Sequence, residues 1–216
     1  VVTYTIIGVC VALWVGDILT KSMITQYLGF TPIHGLYQPW RILTTAFLHV
    51  NLMHIAFNMV SLYAVGRALE PALGRGPYFC LYLLSALGGT LGVLGWVLID
   101  PSSALTVTVG ASGAIFGLFG SVFVLQRAAG IDVRAGAGLL AVNLLYGFIV
   151  SGVSWQAHLG GLLFGMLATW GMLALGKPRS GMTAKKQRRR LYLGIAGMFL
   201  LELVMLVVTY MVLLNI

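Results

Sequence analysis

The chain has 216 residues, of which 59% are hydrophobic and only 8% are charged, and its mean hydropathy is +0.97. This composition excludes an ordinary soluble globular protein and indicates a polytopic membrane protein. The net charge of +8 could by itself suggest a nucleic-acid partner. The distribution of the basic residues favours a membrane topology signal instead.

Seven hydrophobic runs are candidate membrane spans, since a hydrocarbon core of about 30 Å needs about 20 helical residues. Backbone hydrogen bonding in lipid favours helices, and the runs lack the alternating polarity of β-barrel strands. The sequence therefore predicts an all-α transmembrane bundle that forms one domain over residues 1–216. The seven predicted spans lie near residues 2–19, 46–66, 77–99, 112–126, 136–151, 155–175 and 192–214.

The basic residues predict the orientation of these spans. Eleven of the 13 follow the second, fourth or sixth predicted span, so the positive-inside rule makes those loops cytoplasmic. The run "KKQRRR" (185–190) is interpreted as a loop that sets topology, in preference to a nucleic-acid patch or a lipid-headgroup contact. The long first loop, 20–45, suits a segment that lies at the membrane interface.

Polar side chains inside predicted spans are candidate functional groups, because they are costly in lipid. His54 and Asn58 are four residues apart and share one helix face. Ser112 and His158 each begin a span that enters from the outer side. Because the loops after the second, fourth and sixth spans are predicted to be cytoplasmic, these four residues are predicted to lie together in the outer half of the membrane. Asn143, in the fifth span, is interpreted as a packing residue.

Ser112 and His158 suggest nucleophilic catalysis, since a neutral histidine within hydrogen-bond reach can take the proton of a serine. None of the five acidic residues obviously belongs with them, so a Ser–His dyad is expected and not a triad. The developing oxyanion needs donors. The candidates are the Ser112 backbone N–H and the side chains of His54 and Asn58.

Glycines at four-residue spacing predict close helix packing near this site. Gly113 and Gly117 form one small-xxx-small stripe, and Gly161 and Gly165 form another. Their approach would bring His158 toward the serine. Each feature also has a purely structural interpretation, because glycine, serine, histidine and asparagine all serve as packing residues in membrane helices.

The histidines are also compatible with two other functions, zinc-dependent hydrolysis and proton-coupled transport. Zinc hydrolysis is disfavoured because Val50, and not glutamate, follows His49, and His54 is five residues away. Proton-coupled transport through His54, His158 and Glu202 is a further alternative, although Glu202 has no evident charged partner within the membrane.

Four segments resemble the rhomboid family of intramembrane serine proteases. They are "PWR" (39–41), "FLHVNLMHIAFNM" (47–59), "GASG" (110–113) and "AHLGGLLFG" (157–165). The resemblance implies that Ser112 is the nucleophile, that His158 is the base, and that His54 and Asn58 stabilise the oxyanion. It also implies a core of about 1–175 followed by an extra C-terminal helix near 192–214.

The resemblance assigns orienting or structural roles to further residues. Phe116 is expected to pack on the catalytic imidazole, where many bacterial members have tyrosine. His49 is expected to brace the first loop, and Arg41 is expected to be a structural arginine of that loop. The glycines with such roles are Gly110, Gly113, Gly161 and Gly165.

The expected function is therefore an intramembrane serine endopeptidase that cuts transmembrane segments of membrane-protein substrates through an acyl-enzyme. Neither a cofactor, a metal nor a nucleic acid is expected, and the partners are the substrates and the lipid bilayer. The expected location is a bacterial inner membrane, with the site open to the outer side. The main alternative is a non-catalytic rhomboid-like protein that binds membrane helices.

Overall fold

The computed structural model describes residues 1–149 and 152–215. Apart from one isolated antiparallel bridge between Phe30 and Thr108, the regular structure of these residues is helical. Short 3₁₀ helices occupy Thr45–Phe47 and Pro101–Leu105. The α-helices are α1 (Val2–Leu19), α2 (Met23–Leu28), α3 (Pro32–Gly35), α4 (Arg41–Thr44), α5 (Leu52–Leu73), α6 (Arg75–Val97), α7 (Ser112–Ala128), α8 (Arg134–Ile149), α9 (Trp155–Gly176) and α10 (Ala184–Leu213).

The helices agree with the predicted all-α membrane bundle, which is confirmed. Five of them, α1, α5, α6, α9 and α10, are long and apolar enough to cross a membrane. The other two predicted spans form the shorter apolar helices α7 and α8, of 17 and 16 residues. Length and composition therefore support five of the seven predicted spans directly.

The second predicted span begins later than expected. Residues near 46 form a 3₁₀ turn, and Leu48 is extended with φ −99° and ψ 152°. Asn51 then caps α5, because its side chain accepts a hydrogen bond from the His54 backbone N–H. Hydrophobicity alone did not locate this start, since the apolar run continues through the turn and across the cap.

The last span differs at its start as well. Residues 185–190, predicted to be part of a loop, form the first turns of α10. Thr183 caps this helix by accepting a hydrogen bond from the Lys186 backbone N–H. The prediction of a loop was wrong because a charged run outside the hydrocarbon can still continue a membrane helix.

Helix α6 lies at the centre of the bundle and positions the others. It packs against α7, α9 and α10, and 67% of its most apolar 18-residue stretch is buried within the protein. Close approach to α9 depends on glycines, since a Cβ on Gly160 would overlap the carbonyl oxygen of Gly88. Its fully buried Tyr82 hydroxyl donates to the Ala46 carbonyl at 2.8 Å, which ties the first loop to the core.

Candidate active site

The serine begins a helix, and the backbone before it is unusual. Ser112 is the first residue of α7, and Gly110 precedes it with φ +137°. The Gly110 N–H donates to the Thr45 carbonyl at 3.0 Å. A Cβ on Gly110 would lie 2.8 Å from His54 Nε2 and 3.5 Å from Ser112 Oγ. Both the dihedral angle and the space therefore favour glycine at this position.

The histidine lies one turn into α9, whose start is capped by Ser154. His158 is 7% exposed, and its Nε2 lies 2.8 Å from Ser112 Oγ. Its ring stacks on Phe116, with centroids 4.1 Å apart and an interplanar angle of 12°. The structure thus brings together the predicted nucleophile, the predicted base and the aromatic residue expected beside it.

Across residues 1–149 and 152–215, the second ring nitrogen of His158, Nδ1, lacks the carboxylate partner that a catalytic triad would supply. His158 Nδ1 is buried and has no hydrogen-bond partner among the described residues. Nε2 can accept the proton of the serine only if Nε2 is unprotonated, and in that neutral tautomer Nδ1 carries the ring proton. Within the described part of the chain, no carboxylate accepts from it, and the ring contact of His158 is the stack on Phe116.

Glycine contacts hold α7 against α9 at the level of this pair. A Cβ on Gly161 would overlap the carbonyl oxygen of Gly113, and a Cβ on Gly165 would overlap the backbone of Gly117. The two predicted stripes thus face each other, and each glycine is in contact with the partner helix. One turn of α9 separates this contact from the His158 ring, so the glycines set the distance between the helices that carry the pair.

The two predicted oxyanion residues are placed differently. The Nε2 of His54 faces the Gly110–Ser112 segment, as the Gly110 distances show. Asn58 is 7% exposed, and its side-chain amide donates to the His54 backbone carbonyl at 2.8 Å. One hydrogen bond of Asn58 is therefore made within its own helix and not toward the serine.

His49 and Arg41 lie in the loop that leads into α5. His49 is 2% exposed and meets His54 edge-on, with ring centroids 5.0 Å apart. Burial lowers the pKa of His49 to about 3, the nearby His54 acts in the same direction, and the Phe47 backbone acts against both. Arg41 is 6% exposed and donates to the Gly29 carbonyl at 2.6 Å and to the Gln38 side chain. It thus links loop residues and is not part of the Ser112–His158 contact.

Thr45 contributes to the site, and the sequence analysis missed it. Its carbonyl accepts from Gly110, and its hydroxyl donates to the Thr108 carbonyl at 2.5 Å. It therefore holds the strand-like segment just before the serine. No sequence signal could have found it, because a loop threonine has many uses and its partner is 63 residues away.

Other chemistry has less support in the described residues. They contain no group of three or more His, Cys, Asp or Glu side chains that could hold a metal ion. A cavity of about 460 Å³ lies beside Arg67, Glu70 and Arg75, at the other end of α5 from His54. The serine and histidine therefore remain the candidate catalytic groups.

The fold and the site define a class of protein: a helical membrane bundle in which a serine and a histidine on neighbouring helices are in hydrogen-bond contact. Residues 36–175 match the family model described as the Rhomboid domain. This match covers more than half of the chain. The chain belongs to the rhomboid family and is a multi-pass integral membrane protein.

Similar proteins include several named proteases. The chain is 34% identical over 155 residues to Rhomboid protease GluP of Bacillus subtilis, covering 68% of this chain and 28% of that protein. It is 38% identical over 136 residues to Putative rhomboid protease YdcA of the same species, covering 61% and 66%. It is 29% identical over 152 residues to Rhomboid protease AarA of Providencia stuartii, covering 59% and 54%. The chain thus spans less than two thirds of the length of each of these relatives.

Proposed function

We propose that this protein is an intramembrane serine endopeptidase that cuts membrane-spanning segments of other proteins. The observation that carries the proposal is the 2.8 Å contact between His158 Nε2 and Ser112 Oγ. The distance suits direct proton transfer from the hydroxyl to the imidazole. The named protease relatives support the same activity.

The proposed reaction has two halves. His158 takes the Ser112 proton as Oγ attacks the substrate carbonyl, and the tetrahedral intermediate collapses when His158 returns the proton to the leaving amine. The product of this half is an acyl-enzyme. A water molecule then attacks the ester while His158 takes a proton from it. The bond between the acyl carbon and Ser112 Oγ breaks, His158 returns the proton to Oγ, and the carboxylic product leaves.

Oxyanion stabilisation is assigned to groups near the serine. The Ser112 backbone N–H belongs to the first turn of α7, where N–H groups have no intrahelical acceptor. His54 Nε2 faces the same segment and can add a second donor. Loss of one such donor typically costs about 3–4 kcal/mol in the barrier. Asn58 is proposed as a further donor, through the amide hydrogen that the His54 carbonyl does not use.

The substrate and the location follow from the membrane setting. A peptide bond inside a regular helix is shielded by its own hydrogen bonds, so the substrate segment must unwind locally before attack. We propose a bacterial inner membrane, with the Ser112 end on the outer side, because the basic residues cluster at the opposite end. The whole chain is proposed to be one domain, with a core of about 1–175 and α10 as the added helix.

The test is cleavage of a single-spanning model substrate by detergent-solubilised protein, with a fluorophosphonate label read in parallel. We expect both signals for wild type, neither for Ser112→Ala, and loss of cleavage for His158→Ala. Ser180→Ala is the matched control, since it removes an exposed serine hydroxyl in the connection between α9 and α10, away from the pair. Undiminished cleavage by Ser112→Ala would contradict the proposal, and a folded wild type that neither cleaves nor labels would favour a binding protein.

A further inference from the structure

The end of the bundle opposite Ser112 carries a concentration of positive charge. It comprises the end of α5, the start of α6, the connection between α9 and α10 and the start of α10, and we call its cations the basic rim. All of them are exposed except Arg190, which is partly buried. The basic rim consists of Arg67, Arg75, Lys177, Arg179, Lys185, Lys186, Arg188, Arg189 and Arg190.

These cations have little internal compensation. Among the described residues, no carboxylate lies within 4.0 Å of a basic side chain of the rim, and the ion pair between side chains is Arg134 with Asp132, outside the rim. Both oxygens of Glu70 already accept hydrogen bonds from the first turn of α1, at 2.9 Å from Val2 N and 2.9 Å from Thr3 N. Arg67 donates to the Tyr63 hydroxyl at 3.2 Å and Arg190 donates to the Ala174 carbonyl at 3.4 Å. Both acceptors are neutral, so the positive charge of the rim is left for an outside anion to neutralise.

The start of α10 carries charge of the unfavourable sign. Its first turns contain five cations, and its first turn holds no acidic residue. The N-terminal end of a helix is itself positive, so basic side chains there are destabilising until an anion neutralises them. Leu191 follows this run directly, and from there to its end the helix is predominantly apolar, with Glu202 as its one charged residue. The charges are thus within two turns of the hydrocarbon.

Two arginine–tyrosine pairs indicate that the rim lies at the level of the lipid headgroups. The Arg188 guanidinium lies 5.7 Å from the Tyr192 ring centroid, and Arg67 lies 5.4 Å from that of Tyr63. The Tyr192 hydroxyl packs against Gly76, where a Cβ would overlap it, so the α10 part of the rim touches the α5–α6 turn. Tyrosine is enriched at the headgroup level of membranes, which is where phosphodiesters lie.

A cavity gives the rim a place for one headgroup. Its volume is about 460 Å³, and Arg67, Arg75, Tyr63 and Glu70 contribute to its lining. Two guanidinium groups without a carboxylate partner can bind one phosphate through paired hydrogen bonds. Glu70 lines the same cavity, but its oxygens are engaged by α1.

We propose that the basic rim binds the phosphodiester headgroups of anionic phospholipids, with Arg67 and Arg75 holding one headgroup at the cavity. The depth set by the tyrosines and the direct continuation of α10 into an apolar helix favour a lipid over a nucleic acid, which would approach from the aqueous phase. Setting topology requires only charge within a loop, whereas this site requires guanidinium groups at fixed positions. The inference does not depend on protease activity.

The experiment is native mass spectrometry of the detergent-solubilised chain with equimolar phosphatidylglycerol and phosphatidylcholine of identical acyl chains. We expect wild type to retain phosphatidylglycerol in preference, by about fivefold for each guanidinium engaged. Arg67→Gln/Arg75→Gln should lose most of that preference, and Lys185→Gln/Lys186→Gln/Arg188→Gln/Arg189→Gln should weaken it. Arg127→Gln/Arg134→Gln is the matched control, because it removes two exposed guanidiniums at the same end but outside the rim.

Soluble competitors identify the source of the anion. Inorganic phosphate and a short single-stranded oligonucleotide are added at the lipid concentration, and circular dichroism verifies that each variant is folded. We expect neither competitor to displace phosphatidylglycerol. Equal retention of the two lipids by wild type, an equal loss in the control variant, or displacement by phosphate or by the oligonucleotide would each overturn the proposal.

Discussion

At the scale of single residues, the candidate site includes Gly110, which has no side chain and contributes through its backbone conformation and its close approach to His54. Gly110 has φ +137°, and a Cβ there would lie 2.8 Å from His54 Nε2. We predict that Gly110→Ala costs about 1–3 kcal/mol in stability. Cleavage should fall by about 100-fold, because a shift of the Ser112 backbone by about 1 Å misaligns the nucleophile.

The control separates backbone strain from the contact with His54. Gly130 also has a positive φ, +74°, but nothing lies within 4 Å of a Cβ at that position. Gly130→Ala should therefore cost about 1 kcal/mol and leave cleavage unchanged. Thermal unfolding in detergent and initial cleavage rates measure both effects. Equal activity of the two variants would show that the close approach at Gly110 does not matter.

His49 predicts how stability depends on pH. Its pKa in the folded protein is about 3, against 6.5 for an ordinary histidine, because the ring is buried. As the pH falls from about 6.5 toward 3, His49 becomes protonated in the unfolded chain but stays neutral in the folded protein. Protonation therefore stabilises the unfolded chain, and the free energy of unfolding falls. Above pH 6.5 the ring is neutral in both states, so His49 adds no pH dependence to the free energy of unfolding. The full contribution is roughly 3–5 kcal/mol.

The measurement is the free energy of unfolding in detergent between pH 7 and pH 4, for wild type and for His49→Gln. Glutamine does not titrate, so the variant should lose less stability across this range even if it is less stable at pH 7. Parallel curves for the two proteins would show that His49 is not the group responsible.

At the scale of helices, the distance between α7 and α9 is set by glycine. A Cβ on Gly161 would overlap the carbonyl oxygen of Gly113, which is a backbone atom that cannot rotate away. We predict that Gly161→Ala forces the helices apart, destabilises the protein by about 1–3 kcal/mol and abolishes most cleavage. Thermal unfolding and cleavage rates are the measurements.

Gly197 in α10 provides the matched control. Nothing lies within 4 Å of a Cβ at that position, so Gly197→Ala should be neutral or stabilising by up to about 1 kcal/mol through helix propensity. If Gly161→Ala behaves in the same way, the packing of α7 on α9 does not control the site.

The helices themselves were largely predictable, and their ends were not. Each predicted span coincides with an apolar helix, and five of these helices are long enough to cross a membrane. The start of α5 depends on the Asn51 cap and on a 3₁₀ turn, both of which are local geometry inside an apolar run. The start of α10 lies within a basic run that hydropathy assigns to a loop.

Sequence alone proposes the members of the candidate site but not their contacts. Spacing and the charge of the loops predicted that His54, Asn58, Ser112 and His158 would lie together in the outer half of the membrane. In the structure, Ser112 Oγ lies 2.8 Å from His158 Nε2, and His54 Nε2 faces the Gly110–Ser112 segment. Sequence could not show that the Asn58 amide bonds within its own helix. It also could not find Thr45, whose role arises from a contact between loops that are far apart in the chain.

At the scale of the whole molecule, the two ends of the bundle have different properties. One end holds the partly buried Ser112–His158 contact and the first loop. Tyr210 of α10 reaches that loop by donating to the Pro32 carbonyl at 3.2 Å. The other end holds the basic rim. From the positive-inside rule we predict that the basic end faces the cytoplasm, which would place the Ser112 end on the outer side.

Orientation can be measured with cysteines placed at the two ends. Ser102, between α6 and α7, and Ser180, between α9 and α10, are both exposed. In a background of Cys10→Ala/Cys80→Ala, we predict that Ser102→Cys reacts with a membrane-impermeant maleimide in intact spheroplasts. Ser180→Cys should react only after permeabilisation, since the positive-inside rule puts its loop in the cytoplasm. The reverse pattern would invert the bundle and place the serine on the cytoplasmic side, so that cleavage products would be released there and not outside.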